Sequence, residues 1–528
     1  MGLLPTPRPG RSATPVDSPR NEGEKKHGEG EGEGEEASER REAIRDTENR
    51  GVRRWAAEAI SARGEERRLL RWERRRLLRG CVPGQCGDRM LRRRHRRRGL
   101  LRQRQLRWLL RFDLVTLGST TTMSQPDGRE MSSFDSRVAY RIVRELSSRA
   151  FAGRRVGTPG HDRAAKWIED RMTGWGFRTR RHGFAYPLSL VDIVEEPRAR
   201  IQPHGAGSRE ELLYRYDFAE HPSSGPSAGV AAGAITEWGP SASFHDRWAI
   251  AKTRRESRSL KEQALAAASG GGVGMIVPFA VNQGAVIFKQ PIAGDAFPLP
   301  TLFLRRELLF PNSPSRLEVD IRLQRRPLEG ANLVAELPGS EASLANRPLL
   351  VGAHYDAVGD DPGGLRFPGA SDNASGLAVI LEVARTLGRL RSRLKRPVWF
   401  VAFDAEEAGA YGSRALADEL QHPGIEPLVI NVDLAALSAN PVVVEGSPNS
   451  RSLLTVLDTS GRRSAIPLMQ GPVQSDNRQF AARGFPTVGL GSGGVGYHTP
   501  LDTVDRVEPE ALRRVGVLLL GAIRDIAG

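Results

Sequence analysis

The chain has 528 residues, enough for two or three domains that each have their own core. Its formal charge of +15 is uneven: residues 1–122 contain 30 Lys and Arg against 18 Asp and Glu, which leaves only +3 for residues 123–528. A nearly neutral body argues against specific nucleic-acid binding, and the absence of any apolar run near ~18 residues argues against a transmembrane segment.

Both cysteines, Cys81 and Cys86, lie in the basic first quarter of the chain. The body therefore has no thiol for a disulfide, a nucleophile or a metal ligand. A metal site there must use His, Asp and Glu.

Residues 1–122 form a basic extension that we expect to be disordered, with the low-complexity run GEGEGEGEE and Arg-rich stretches such as RRLLRWERRRLLRG. Three interpretations are open. The extension could be a basic arm that binds nucleic acid or an anionic membrane, a solvated tail, or upstream sequence translated from the wrong start. We favour the last interpretation, with Met123 or Met131 as the true beginning, because composition changes abruptly there. No signal-peptide pattern is visible, so we expect a cytoplasmic location by default, without excluding export.

Helical patterns begin near Ser132, at the start of a domain that we assign to residues 131–188 and 326–528. FDSRVAYRIVRELSS and GHDRAAKWIEDRMTGWGF have apolar residues at helical spacing, and FRTRRHGF predicts a strand after the second helix.

Residues 189–325 have a different texture, with short apolar segments between Gly, Pro and Ser. SLKEQALAAASGGGVGMIVPF predicts a helix, a glycine turn and a buried strand, and PLPTLFL follows. This segment resembles the protease-associated domain, a small β-rich module often inserted into exopeptidases.

Strand and helix patterns alternate again after GANLVAELPGS. PLLVGAHYDAV, PVWFVAFDAEEAG and PLVINVDLAAL predict strands, and SGLAVILEVARTLGRL predicts an amphipathic helix. We therefore predict an α/β fold with a mixed central sheet flanked by helices on both faces, interrupted by the β-rich insert. In such folds functional residues gather on loops beyond the carboxyl ends of strands.

Five loop segments carry polar residues at those positions. The candidates are His354 and Asp356 in GAHYDAV, Asp372 in PGASDNASG, Glu406 and Glu407 in DAEEAG, Asp433 in INVDLAA, and Tyr497 and His498 in GYHTPLDT. Singly, each has an ordinary structural explanation; Asp372, for example, could simply cap a helix. Together, two histidines and several carboxylates without a thiol suit zinc, and less specifically manganese or cobalt.

The order of these motifs resembles the co-catalytic di-zinc metallo-aminopeptidases, over about residues 132–528 apart from the insert. The resemblance implies two zinc ions held by five ligands: His354, Asp372, Glu407, Asp433 and His498. It implies that Asp372 bridges both ions and that His354 and Asp433 bind one ion each. We placed Glu407 with His354, and His498 with Asp433.

The resemblance also implies roles for three residues that are not ligands. Asp356 would orient His354, and Tyr497 would donate to the oxyanion of the tetrahedral intermediate. Glu406 would be the general base that activates a water bridging the two metals. The predicted activity is a zinc-dependent exopeptidase acting on peptides or small proteins, most simply an aminopeptidase.

Alternatives remain open at this point. A glutamate-type carboxypeptidase shares the superfamily and the insert, in which Arg247 or Arg254 could hold a substrate carboxylate. A glutaminyl cyclase would hold one zinc, and a non-catalytic peptide-binding relative would have lost activity. In QSDNRQF, Asn477 stands where the family commonly has histidine, which puts substrate contacts in doubt. The oligomeric state is not predicted.

Overall fold

A computed structural model describes residues 134–528, apart from 186–189, 204, 206, 239–241, 253–258, 280–285, 290–295, 311–314, 328, 391–393 and 423. The predicted basic extension and Arg254 lie outside the described residues. Within them, no helix has both the length and the apolar character needed to cross a membrane.

The α-helices are α1 (Ser136–Leu146), α2 (Pro159–Gly174), α3 (Leu260–Ser269), α4 (Arg306–Leu309), α5 (Gly376–Leu390), α6 (Tyr411–Leu420), α7 (Arg451–Arg463), α8 (Asn477–Ala481) and α9 (Pro509–Ala527). Short 3₁₀ turns cover Arg149–Arg154, Ala342–Leu344 and Val504–Arg506, and a π-type turn covers Ala370–Ser375. The strands are β1 (Arg178–Ala185), β2 (Leu190–Ile193), β3 (Arg198–Gln202), β4 (Glu210–Leu212), β5 (Phe218–Glu220), β6 (Ser227–Glu237), β7 (Arg247–Ile250), β8 (Gly274–Phe279), β9 (Thr301–Arg305), β10 (Arg316–Arg326), β11 (Glu329–Leu337), β12 (Leu349–His354), β13 (Val398–Phe403), β14 (Leu428–Val432), β15 (Val442–Gly446), β16 (Leu468–Gln470) and β17 (Thr487–Gly491).

Local sequence signals explain where α2 begins and which face it buries. The Thr158 hydroxyl accepts a hydrogen bond from the amide of His161, and Pro159 opens the first turn, where its missing N–H is not needed. Ile168 and Met172, one helical turn apart, are buried. The helix and strand patterns of the sequence are confirmed here and in the central strands.

The first sheet is mixed, with the strand order β1–β11–β13–β12–β14–β17–β15–β16. β12 pairs in parallel with β13 and β14, and β14 pairs in parallel with β17. β1–β11, β11–β13 and β15–β17 are antiparallel pairs. The carboxyl ends of the four central parallel strands therefore meet at one edge, where the candidate site lies.

Helices cover both faces of the first sheet, as predicted. Along β12, Val351 packs into the core formed with α1, α2, α5 and α9, whereas Leu350 packs into a second core on the opposite face. That second core includes Leu416 of α6 and Phe480 of α8. The alternation follows from the two-residue period of strand side chains.

Strands β2–β10 form a separate second sheet, in the order β4–β3–β10–β6–β7–β8–β9–β5, with β2 also on β10. β1 and β11 pair antiparallel, with Ala185 opposite Glu329, so the chain leaves and re-enters the first sheet at adjacent positions. The second sheet has its own apolar core, which includes Trp248 and Phe218. Its likeness to a protease-associated domain stays a prediction.

Candidate metal centre

The five predicted ligands come from separate segments at one edge of the first sheet. His354 is the last residue of β12, and Asp433 follows the last residue of β14. Asp372 lies in the π-type turn before α5, Glu407 follows β13, and His498 lies in the loop after β17. The parallel pairing of these strands explains why positions so distant in sequence lie together.

Their ligand atoms form two groups that share Asp372: His354, Asp372 and Asp433 in one, and Asp372, Glu407 and His498 in the other. Within each group the ligand atoms lie within 4.8 Å of one another. His354 Nε2 lies 3.4 Å from Asp372 Oδ1 and 3.6 Å from Asp433 Oδ2. His498 Nε2 lies 3.3 Å from Asp372 Oδ2 and 2.7 Å from Glu407 Oε2.

This grouping corrects one expectation from the sequence. The sequence-based expectation places Glu407 with His354 on one ion and His498 with Asp433 on the other. In the structure, His354 lies with Asp433 in one ligand group, and Glu407 lies with His498 in the other. The loop after β13 has a positive φ at Ala405 (61°), just before the two glutamates, and the amide of Glu407 in this loop donates to Asp356. In this conformation Glu407 Oε2 lies 2.7 Å from His498 Nε2.

The donor set fits divalent metal ions. His354 Nε2, Glu407 Oε1 and Asp433 Oδ1 are buried and make no hydrogen bond of normal geometry within the described residues. Buried polar atoms are nearly always paired, so three such atoms in one place point to a ligand. Imidazole nitrogens and carboxylate oxygens are the donors that zinc accepts when thiols are absent.

Asp356 connects three parts of the centre through one buried carboxylate. Its Oδ1 lies 3.5 Å from His354 Nδ1 and accepts a hydrogen bond from the amide of Glu406 at 3.1 Å. Its Oδ2 accepts from the amide of Glu407, also at 3.1 Å. Donation by Nδ1–H leaves Nε2 of His354 unprotonated for a metal. His354 Nδ1 also lies 3.3 Å from the backbone carbonyl of Asp356. The orienting role of Asp356 stays a prediction, and its carboxylate holds the loop of both glutamates.

Glu406 and Glu407 point in different directions. Glu407 is nearly buried and faces His498, whereas the Glu406 side chain is 18% exposed and its Oε2 is 4.0 Å from His354 Nε2. Burial raises the pKa of Glu406 well above its usual value, against the opposing charge of His354. Burial likewise raises the pKa of Glu407 to about 7. A raised pKa makes a carboxylate a stronger proton acceptor, as a general base requires.

The two histidines lie in a strongly negative environment. Burial opposes their charge, but nearby carboxylates raise both pKa values well above normal, mainly Asp433 for His354 and Glu407 for His498. Burial raises the pKa of Asp372, but the two neighbouring histidines outweigh burial, and the net effect is a lowered pKa. The site therefore attracts positive charge, whether protons or metal cations.

Two residues that sequence reasoning did not assign hold the Asp372 loop. The carboxylate of Asp502 accepts hydrogen bonds from the amides of Ser371 (2.6 Å) and Asp372 (3.1 Å). The side-chain amide of Asn373 donates to the carbonyl of Val432 at the end of β14. Asp502 lies in GYHTPLDT and Asn373 in PGASDNASG, the motifs that also contain the ligands His498 and Asp372. Their closeness in sequence to these ligands is the feature that could have predicted them.

The segment after β16 contributes a further unpredicted carboxylate. Asp476 is fully buried, and burial raises its pKa to about 7 against the charge of His354. Its own charge raises the pKa of Glu406. The neighbouring Asn477 is also buried, but its amide contacts Glu445 (3.1 Å) and the Ser475 amide (3.2 Å). Asn477 thus helps to anchor this loop, and its expected effect on substrate contacts stays a prediction.

Tyr497 lies next to the centre and is 47% exposed. Its ring meets the ring of His498 edge-on, with centroids 5.4 Å apart. The predicted donation from its hydroxyl to an oxyanion stays a prediction.

Comparison with known proteins shows that the chain is similar to peptidases. Residues 332–523 match the model of peptidase family M28. A probable lipoprotein aminopeptidase, LpqL, of Mycobacterium tuberculosis is 24% identical over 77% of this chain and 87% of its own length. Aminopeptidase YwaD of Bacillus subtilis is 30% identical over 33% of this chain, which spans only 40% of YwaD.

Solved structures share the fold. A zinc aminopeptidase from Bacillus subtilis, BSAP, aligns with a TM-score of 0.59 and 22% identity, covering 75% of this chain and 95% of BSAP. An aminopeptidase from Aneurinibacillus sp. strain AM-1 aligns with a TM-score of 0.55 and 21% identity, over 75% and 95% of the two chains. Residues 332–523 are therefore similar to peptidase family M28, and the α/β fold around them is shared with these two aminopeptidase structures.

Proposed function

We propose that the protein is a zinc-dependent aminopeptidase that holds two zinc ions and uses Glu406 as its general base. The match of residues 332–523 to peptidase family M28 and the aminopeptidases among the relatives support hydrolysis of peptide bonds. The proposal adds the number of ions, the role of each residue and the preference for peptide amino termini.

One observation supports two ions above all others. Asp372 belongs to both ligand groups, with Oδ1 towards His354 and Oδ2 towards His498. A carboxylate that offers one oxygen to each of two neighbouring groups is the arrangement that a co-catalytic pair of ions requires. The other four ligands divide evenly, Asp433 with His354 and Glu407 with His498.

Zinc at this centre would supply Lewis acidity, which lowers the pKa of a water and polarises the substrate carbonyl. Glu406 is then the proton carrier of the chain, because it is buried enough to have a raised pKa yet exposed enough to reach solvent. It accepts the proton of the attacking water and passes it to the leaving amine. The carboxylate of Asp356 holds Glu406 in place by accepting a hydrogen bond from the backbone amide of Glu406.

The chemistry of the centre also suits an amino-terminal substrate. A free substrate amine can approach a metal ion or a carboxylate that is not a ligand, such as Glu406, whose side chain is 18% exposed. A peptide blocked at its amino terminus lacks that group. We therefore expect free amino termini to be preferred.

The decisive experiment is hydrolysis of a panel of amino-acid amides and acyl-dipeptides by the full chain, before chelation, after chelation and after zinc add-back. We expect cleavage of substrates with free amino termini, loss of activity on chelation and its return with zinc. Cleavage of blocked peptides alone would support the glutamate-type carboxypeptidase instead. In that case Arg247, which is exposed at the start of β7, would be the first residue to test.

Metal analysis, together with the same panel, separates the remaining alternatives. One tightly bound zinc per chain would favour a glutaminyl cyclase, and no hydrolysis by zinc-loaded protein would favour a non-catalytic peptide-binding relative. Convergence of all five ligands with Glu406 favours an active enzyme. The substrates are thus peptides or small proteins, and the cytoplasmic location stays a prediction from the sequence.

A further inference from the structure

Four residues between β8 and β9, Val286–Lys289, connect the second sheet to the metal centre. The amide of Ile287 donates to the carbonyl of Arg215, beside β5, at 2.7 Å. Two residues later, the amide of Lys289 donates to the carbonyl of the predicted ligand His498 at 3.2 Å. Val286, Ile287 and Lys289 are buried, and only Phe288 is exposed.

A buried ionic network fixes this segment. Lys289 is 4% exposed, and its Nζ lies 2.6 Å from Asp361 Oδ1 and 2.7 Å from the carbonyl of Gly359. Arg215 also binds Asp361, with Nε 2.7 Å from Oδ2. Asp361 and Gly359 belong to the loop that follows β12, which ends at His354. Lys289 is therefore bonded to the loop that follows His354 and to the backbone of His498 itself.

Phe288 lies on the other side of this fixed backbone. Its ring stacks against Tyr497, with centroids 6.2 Å apart and planes 25° from parallel, and Tyr497 in turn contacts His498. Phe288 is 37% exposed and Tyr497 is 47% exposed. Val495, two residues before Tyr497, is also 37% exposed. Exposed apolar groups next to a reactive centre are typical of a ligand-binding surface.

We propose that Phe288 and Tyr497 form an aromatic surface that receives a large apolar side chain flanking the scissile bond. Phe288, which lies between β8 and β9 of the second sheet, is then a specificity-determining residue. Lys289 is the positioning residue that holds Phe288 in place. The preferred substrates are peptides with Leu, Phe or a similar residue at the cleavage point. This inference rests on the proposed aminopeptidase function and deepens it.

Aromatic rings suit this role for physical reasons. They offer a large contact area with few rotatable bonds, so little conformational freedom is lost on binding. A Phe288 ring already stacked on Tyr497, on a backbone pinned by Lys289, is preorganised further. Contacts of this kind discriminate between large and small apolar side chains by about 10-fold to 200-fold in kcat/KM.

The test uses zinc-loaded full-length protein and two dipeptide-amide series, X-Ala and Ala-X, with Ala, Leu, Phe, Lys or Glu as X. In at least one series we expect Phe288→Ala to lower kcat/KM for Leu and Phe by about 10-fold, mainly through KM. The Ala-Ala substrate should change less than about twofold, and Phe288→Leu should restore most of the preference. Leu265→Ala, at an apolar α3 residue that is 49% exposed, is the matched control and should change nothing.

Lys289→Met tests the positioning role. It should reduce the preference for Leu and Phe as Phe288→Ala does, and combining the two substitutions should add little, because both act through one ring. Circular dichroism and zinc content show whether each variant is folded. If folded Phe288→Ala keeps the wild-type preference in both series, the inference is wrong, although the proposed function stands.

A second measurement separates the two hypotheses if the wild-type protein hydrolyses no member of the panel. Calorimetric titration of the zinc-loaded chain with L-leucine and L-phenylalanine measures the surface without catalysis. Weaker binding to Phe288→Ala than to Leu265→Ala would support the surface while the aminopeptidase proposal fails. Equal binding to both variants, or no binding to wild type, would overturn the surface as well.

Discussion

Nε2 of His498 lies 2.7 Å from Oε2 of Glu407, the shortest distance between two predicted ligands that the structure gives. The pair belongs to the group completed by Asp372, while His354 and Asp433 complete the other. This division of the ligands leads to the first two predictions.

Glu406→Gln and Glu407→Gln should differ in whether the protein keeps its bound zinc. We expect Glu406→Gln to keep its zinc and lose turnover by about 10²-fold to 10⁴-fold, because it loses the general base alone. Glu407→Gln should lose zinc, because a ligand oxygen is replaced by an amide. Zinc per chain after gel filtration and kcat at saturating zinc are the two measurements. Full activity of Glu406→Gln would contradict the proposed mechanism.

Metal stoichiometry should follow the two ligand groups. Glu407→Ala and His498→Ala should each lower zinc content towards one ion per chain, and the double variant should lose no more than either alone. Glu407→Ala combined with Asp433→Ala should lose both ions, because those residues belong to different groups. Loss of both ions from the Glu407→Ala and His498→Ala double variant would instead support the pairing expected from the sequence. Elemental analysis and zinc titration calorimetry give the counts.

Asp356→Asn should weaken zinc binding although Asp356 is not a proposed ligand. The amide has the same shape but no charge, so it supports the His354 imidazole less well and accepts fewer hydrogen bonds from the glutamate loop. We expect zinc affinity to fall by about 10-fold to 100-fold. Asp458→Asn is the control, since Asp458 is half-exposed on α7 and pairs with Arg462. Equal affinities in both variants would contradict the assigned role.

His221 should make the protein less stable in mild acid. Burial lowers its pKa from the usual 6.5 to about 4, between the rings of Phe297 and Phe303. Above pH 6.5 both folded and unfolded chains hold it neutral, and stability is complete. As the pH falls towards 4, the unfolded chain takes up a proton that the folded chain does not, so stability decreases by up to about 3 kcal/mol.

The measurement is urea unfolding at pH 7 and pH 5 for wild type and His221→Gln. We expect the loss of unfolding free energy between the two pH values to be smaller in the variant, because glutamine does not titrate. Comparing the loss, rather than the stability at one pH, removes the general cost of the substitution. Identical losses would show that His221 does not contribute.

Removing Asp361 should destabilise the fold more than removing an exposed acid. Asp361 is fully buried between the charges of Arg215 and Lys289, so Asp361→Asn leaves two cations with a neutral partner. We expect the unfolding free energy to fall by about 3 to 5 kcal/mol. Glu510→Gln, in an exposed pair with Arg513, should change it by less than about 1 kcal/mol. Denaturant titration of both variants checks the difference.

Much of the fold could be predicted because its strands are strongly patterned. PVWFVAF is apolar on both faces, as a central parallel strand must be, and it became β13 with Phe400 and Phe403 in opposite cores. The second sheet was harder to predict. Its strands are short, and β10 pairs with three different strands, β2, β3 and β6, through contacts that no local pattern records.

The sequence by itself determined which residues are available as ligands, because two histidines and the carboxylates follow recognisable strands in a body without cysteine. It also indicated different roles for Glu406 and Glu407, since the side chains of adjacent residues cannot point the same way. Only the tertiary structure decided how the ligands pair. β12 lies between β13 and β14, so His354 is next to both Glu407 and Asp433, and strand order leaves the pairing open. The conformation of the loops decides it, because that conformation brings Glu407 Oε2 within 2.7 Å of His498 Nε2. The same holds for Phe288, whose position beside Tyr497 depends on a buried lysine and an aspartate 72 residues apart in the chain.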